Sequence, residues 1–118
     1  MNILFVLFLF LGFVQCSAAT GAWSITDRIH VGSEGGWDYL TVQPETHRLF
    51  VSFAKQVVVI DLQTKATIGS IPAAGVHGIA LAPKLDLGFI SNGADGTVTV
   101  FNLSTLQVET KLTVEMRL

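Results

Sequence analysis

Past residue 20 the chain alternates short apolar runs with clusters of turn-forming residues, and no stretch keeps a helical spacing of apolar positions over a comparable length. The runs predict strands near Tyr39–Val42, Arg48–Phe53, Gln56–Leu62 and Ala66–Ile71, then near His77–Leu81, Leu87–Asn92, Thr97–Leu103 and Gln107–Val114. The second set repeats the first. Thr41-Val42-Gln43-Pro44 and Phe50-Val51-Ser52 recur as Ala80-Leu81-Ala82-Pro83 and Phe89-Ile90-Ser91, displaced by 39 positions (Pro44 to Pro83). Val57-Val58-Val59-Ile60-Asp61-Leu62 recurs as Val98-Thr99-Val100-Phe101-Asn102-Leu103, displaced by 41 (Val57 to Val98). The longer turn Asn92-Gly93-Ala94-Asp95-Gly96, against Phe53-Ala54-Lys55-Gln56, accounts for the change.

Four short strands in a period of about 40 residues are the signature of a β-propeller blade. The expected fold class is therefore all-β, with antiparallel four-stranded blades at 37–75 and 76–118 of an incomplete ring. Pro44 and Pro83 end the first strand of each repeat, because proline cannot donate to a central ladder. Asp61 with Thr64, and Asn102 with Thr105, predict Asx-type turns after the third strand. Val57-Val58-Val59-Ile60 shows no apolar–polar alternation, so this strand should be covered on both faces. Face-to-face stacking of blades supplies that cover.

Ile3 to Val14 is a nearly unbroken apolar run followed by Cys16-Ser17-Ala18-Ala19. It falls short of the ~20 residues a membrane span needs but suits the apolar region of a secretory signal. Residues 1–19 are read as a cleaved signal, which implies a periplasmic or secreted product with no stable membrane span. No Lys or Arg precedes the run, so an uncleaved anchor stays open, as does lipid attachment at Cys16. Residues 20–36 hold Trp23–Val31, a lone strand candidate resembling a fourth blade strand and expected to close a ring.

Cys16 is the sole cysteine, so the exported part cannot be a disulfide-stapled domain. The net charge is −2, and the seven cations Arg28, Arg48, Lys55, Lys65, Lys84, Lys111 and Arg117 are scattered singly. Nothing here resembles a nucleic-acid footprint.

Phe89-Ile90-Ser91-Asn92, preceded by Gly75-Val76-His77-Gly78-Ile79-Ala80-Leu81-Ala82-Pro83 and followed by Val98-Thr99-Val100-Phe101-Asn102-Leu103, resembles the YVTN-type β-propeller repeat. The first repeat departs from it, with Phe53 in place of the Asn and Trp37-Asp38-Tyr39 in place of the Gly-containing segment. The resemblance covers about Trp23 to Val114 and implies an extracytoplasmic binding or scaffolding domain, with varied partners.

Asp38 aligns with His77 at the start of the innermost strand of each blade, where both side chains could meet a ligand at the channel mouth. Two such residues also describe an ordinary solvated rim, and a metal centre needs three or more protein ligands. Asn92–Gly96 lacks the carboxylate pattern of a calcium loop and reads as a hairpin turn. His30 and His47 read as surface residues with no carboxylate in register. The serines form no Gly-x-Ser-x-Gly elbow, and the sequon Asn102-Leu103-Ser104 falls in a turn that already explains its Asn.

The sequence thus calls for no catalytic residue, no metal and no cofactor. It predicts a non-enzymatic exported binding protein for an unknown protein or small-molecule ligand. The alternative is a propeller enzyme, lactonase-like or quinone-dependent, with its channel site mostly on other blades. Rings close with roughly 4 to 8 blades, and the repeat stops at Glu115–Leu118 where a third is due. A portion of a longer ring is the expectation, with self-association of short chains as the other way to close it.

Overall fold

The computed structural model describes residues 21–32 and 35–114. The signal reading of residues 1–19 lies outside them, as does the segment 115–118.

Among the described residues eight strands follow one another without a helix of more than one turn: β1 (Trp37–Gln43), β2 (Arg48–Phe53), β3 (Gln56–Asp61), β4 (Thr67–Pro72), β5 (Val76–Ala82), β6 (Leu87–Asn92), β7 (Thr97–Asn102) and β8 (Val108–Thr113). They form two four-stranded sheets in the orders β1-β2-β3-β4 and β5-β6-β7-β8, every pair antiparallel. These are two open propeller blades. Among the described residues no helix is long and apolar enough to cross a membrane.

The repeat extends to details of the backbone. Pro44–Thr46 and Pro83–Leu85 each form a single 3-10 turn, closed by His47 at φ 54° and Asp86 at φ 55°. Leu62 N donates to His47 O at 2.8 Å, and Leu103 N to Asp86 O at 2.9 Å, so the first and third loops of each blade are tied the same way. The predicted Asx turns are present: Gln63 N and Thr64 N donate to Asp61 Oδ1 at 2.7 and 2.9 Å, and Thr105 N donates to Asn102 Oδ1 at 2.9 Å.

The side-chain period of two sends Val57 and Val59 to one face of blade 1 and Val58 and Ile60 to the other. All four are buried. The first face packs on blade 2, where Phe50, Val57, Val59 and Ile71 meet Ile79, Ile90, Phe101 and Leu103 in one core. The rings of Phe50 and Phe101 lie 5.9 Å apart and tilted, a favourable aromatic arrangement. Two polar contacts cross the same junction: Thr41 Oγ1 donates to Ile79 O at 3.0 Å, and an Arg48 guanidinium nitrogen to Leu103 O at 2.6 Å.

The segment Trp23–Val31 forms no strand. Each sheet already holds its four strands, so the segment has no blade to complete here. Instead Ile29 and Val31 lie on the outer face of blade 1, against Val51, Val58 and Ile60 with Leu49 and Phe53. An ion pair between Lys65 and Asp27 fastens it from the turn after β3.

Candidate functional site at the inner-strand ends

β1 and β5 each carry a bulge near their start. Trp37 faces Phe53 and Leu40 faces Val51, so Asp38 and Tyr39 together oppose Ser52. In the same way Val76 faces Asn92 and Ile79 faces Ile90, so His77 and Gly78 oppose Ser91. Two residues against one is the defining count of a bulge, and its effect is to re-aim a side chain.

The serine of strand two fills each bulge. Tyr39 N donates to Ser52 Oγ at 2.6 Å, and the hydroxyl donates back to Tyr39 O at 3.2 Å. Gly78 N and O make the equivalent bonds with Ser91 Oγ at 2.8 and 3.4 Å. The sequence displays this signal as the repeated Phe-Val-Ser and Phe-Ile-Ser runs, but only the register reveals what the hydroxyls hold.

The re-aimed residues of the two blades meet. His77 Nδ1 lies 2.5 Å from Asp38 Oδ2, with the two side chains 64% and 52% exposed. The candidate residues therefore form one exposed carboxylate–imidazole pair that joins the two blades. Gly93 makes room for it: a Cβ there would stand 2.6 Å from His77 Nε2. A depression of about 270 Å³, bordered by His77, Asn92, Gly93, Gly96 and Thr97, opens beside the ring.

Asp38, His77 and nearby Ser91 contain the residue types of a hydrolytic triad. The geometry gives them different work, because Ser91 Oγ is engaged by Gly78 just as Ser52 Oγ is by Tyr39, where no histidine stands. A nucleophile needs its hydroxyl hydrogen-bonded to the base. The arrangement can bind and orient a polar group, with no acyl-transfer chemistry built in. Among the described residues no three His, Cys, Asp or Glu side chains converge on a metal position.

Asn92 is a residue whose role the sequence did not disclose. It is buried, and its amide nitrogen donates to Thr97 Oγ1 at 2.9 Å and Thr99 Oγ1 at 2.8 Å. In blade 1 the corresponding positions are Phe53, Gln56 and Val58, and Phe53 packs with Val58 and Ile60 on the outer face. The departure from Asn at Phe53 is therefore a paired exchange of a polar cluster for an apolar one. The Asn92–Gly96 loop is a hairpin turn, closed by Gly96 N to Asn92 O at 3.1 Å. Asp95 spends its carboxylate on Thr97 N at 3.2 Å and Thr97 Oγ1 at 2.6 Å.

His30 and His47 are exposed. For His47 the expectation of no nearby carboxylate is corrected, since the 3-10 turn brings it within electrostatic reach of Asp61. The Asp61 carboxyl is held below the usual carboxylate range, first by the Thr64 backbone N–H and then by that of Gln63, with smaller help from the Thr64 hydroxyl and His47.

No family model and no curated protein matches the sequence. Solved structures do. Hydrazine synthase from Kuenenia stuttgartiensis superposes with a TM-score of 0.63 at 21% identity, over 78% of this chain and 27% of that one. A eukaryotic initiation factor gives 0.57 at 21% identity, over 70% of this chain and 23% of that one. Hsv2 from Kluyveromyces lactis gives 0.53 at 11% identity, over 70% and 26%. The matched regions are of β-propeller type. The chain is two blades of a β-propeller. It spans about a quarter of the length of these structures, and identities this low establish the fold alone.

Proposed function

We propose that the chain belongs to an exported, non-enzymatic β-propeller binding protein of the YVTN-repeat type, which holds its ligand where Asp38 and His77 meet. The observation that carries this reading is the convergence of those two side chains, from two blades, on one solvent-open point beside a depression of about 270 Å³. The pair offers a carboxylate and an imidazole, which suits a polar small molecule or a polar protein loop. Export is supported by the apolar run Ile3–Val14 and the small residues after it, and the repeat type by Phe89-Ile90-Ser91-Asn92. The scattered cations favour a partner other than nucleic acid.

A thermal-shift screen of small polar compounds against the wild-type chain, Asp38→Ala and His77→Ala tests the site. A compound that raises the midpoint of the wild type should raise neither variant's. The pair is exposed, so each substitution alone should change stability by no more than about 1 kcal/mol. Equal shifts in all three proteins would remove Asp38 and His77 from the site.

A further inference from the structure

The turn after β7 carries more than its own geometry requires. Asn102-Leu103-Ser104-Thr105 stands where blade 1 has Asp61-Leu62-Gln63-Thr64, and the two turns close in the same way. Lys65 N donates to Asp61 O at 2.7 Å and Leu106 N to Asn102 O at 2.8 Å, while Thr64 N donates to Asp61 Oδ1 and Thr105 N to Asn102 Oδ1, each at 2.9 Å. A carboxylate therefore serves this turn as well as an amide does. The turn accounts for an acceptor oxygen on residue 102 but not for the Nδ2 that comes with it. Two exchanges between the repeats, Asp61 to Asn102 and Gln63 to Ser104, together create Asn-Leu-Ser, the acceptor pattern for an N-linked glycan.

We infer that Asn102 Nδ2 is the attachment point of an N-linked glycan. The co-reactant is a lipid-linked oligosaccharide diphosphate. Nδ2 bonds to the anomeric carbon of the first sugar, the lipid diphosphate leaves from that carbon, and the proton lost from the amide passes to solvent. Oδ1 keeps its bond to Thr105 N, so the turn survives the modification. The inference rests on the export proposed above, because transfer takes place on a chain entering a secretory compartment.

Three observations place a glycan there without conflict. Ser104 and Thr105 are exposed and Asn102 is half-buried at the end of β7, and with Oδ1 committed to the turn, Nδ2 stands on the other arm of the amide. Blade 1 shows what a stacked neighbour does to this position. Asp61 continues the row of Val57 and Val59 that packs on blade 2, yet it is only half-buried and its turn bonds lie at the surface. Asn102 continues Val98 and Val100 in the same way, so it stays reachable whether or not a blade covers that face. The strands also keep a glycan clear of the ligand pair. His77 lies at the start of β5, whereas Asn102 pairs with Leu87, which pairs with Ala82 at the other end of β5.

Cell-free translation with eukaryotic microsomes reads the site and the export separately. The chain is made once with its own residues 1–19 and once with an unrelated cleavable signal in their place. Protection from added protease reports translocation, and a gel shift reversed by peptide N-glycosidase, which leaves an aspartate at position 102, reports the glycan. One shift is expected on each translocated chain, lost in Asn102→Asp and in Ser104→Ala but kept in Ser104→Thr, which retains the hydroxyl that meets Asp86. Asn102→Asp reproduces the turn of blade 1, so its loss of the shift reports the missing amide and not a failed fold. A translocated chain that shows no shift overturns the inference, as does a shift that survives in Asn102→Asp. Translocation and a shift with the unrelated signal alone would uphold Asn102 as the acceptor and remove the export reading.

Discussion

The tip of the Phe101 ring reaches over Gly88 of β6, which has no side chain to meet it. A Cβ on Gly88 would stand 2.1 Å from the Phe101 ring, which is fully buried and has nowhere to retreat. Blade 1 solves the same volume with Leu49 opposite Ile60, two medium side chains in place of one large and none. Gly88→Ala should therefore destabilise the chain by about 1–3 kcal/mol through overpacking, read as a lower denaturant midpoint. Gly88→Leu combined with Phe101→Ile should recover part of the loss of Gly88→Leu alone, a coupling that a double-mutant cycle measures directly. Strict additivity would show that the two positions do not share one space. Asn92 with Thr99, against Phe53 with Val58, is a second exchange of this kind, and there a lone substitution would strand a buried polar group.

At the level of the element, the turns after β3 and β7 have the same geometry with different charge. Lys65 and Leu106 take φ 62° and 61°, and Asp61 or Asn102 accepts the backbone N–H groups. Because Asp61 has a lower pKa folded than unfolded, its contribution is complete above the unfolded value and is lost as pH falls through the folded one. Asp61→Asn keeps the acceptor, as Asn102 does, and should flatten the fall of melting temperature on the acid side while changing little at neutral pH. An unaltered acid profile would contradict this. These turns and all eight strands were legible in the sequence, since Pro44, Pro83, Asp61 and Asn102 act locally and the run Val57–Ile60 declares burial on both faces. The serine-filled bulges were not, because Ser52 and Ser91 bond across a register that sequence does not display. Nor was the course of Trp23–Val31: its apolar residues suited a strand, but a strand requires an available edge in register, and the outer face of blade 1 claimed Ile29 and Val31 instead.

For the whole molecule, the decisive feature is one shared core between two sheets. Asp38 and His77 can meet only if the blades keep the relative placement that Phe50, Phe101, Ile71 and Ile79 impose, so the candidate site depends on the junction. Exposed apolar side chains remain on either side of that junction, Leu40 and Val42 on blade 1 and Leu112 and Val114 on blade 2. Whether the two blades form one body is thus the claim on which the rest stands, and nuclear Overhauser spectroscopy of the chain tests it most directly. The account predicts cross-peaks between the ring protons of Phe50 and Phe101, whose centroids are 5.9 Å apart, together with contacts from Thr41 to Ile79. Intact ladders within each sheet with no cross-peak between the sheets would contradict it.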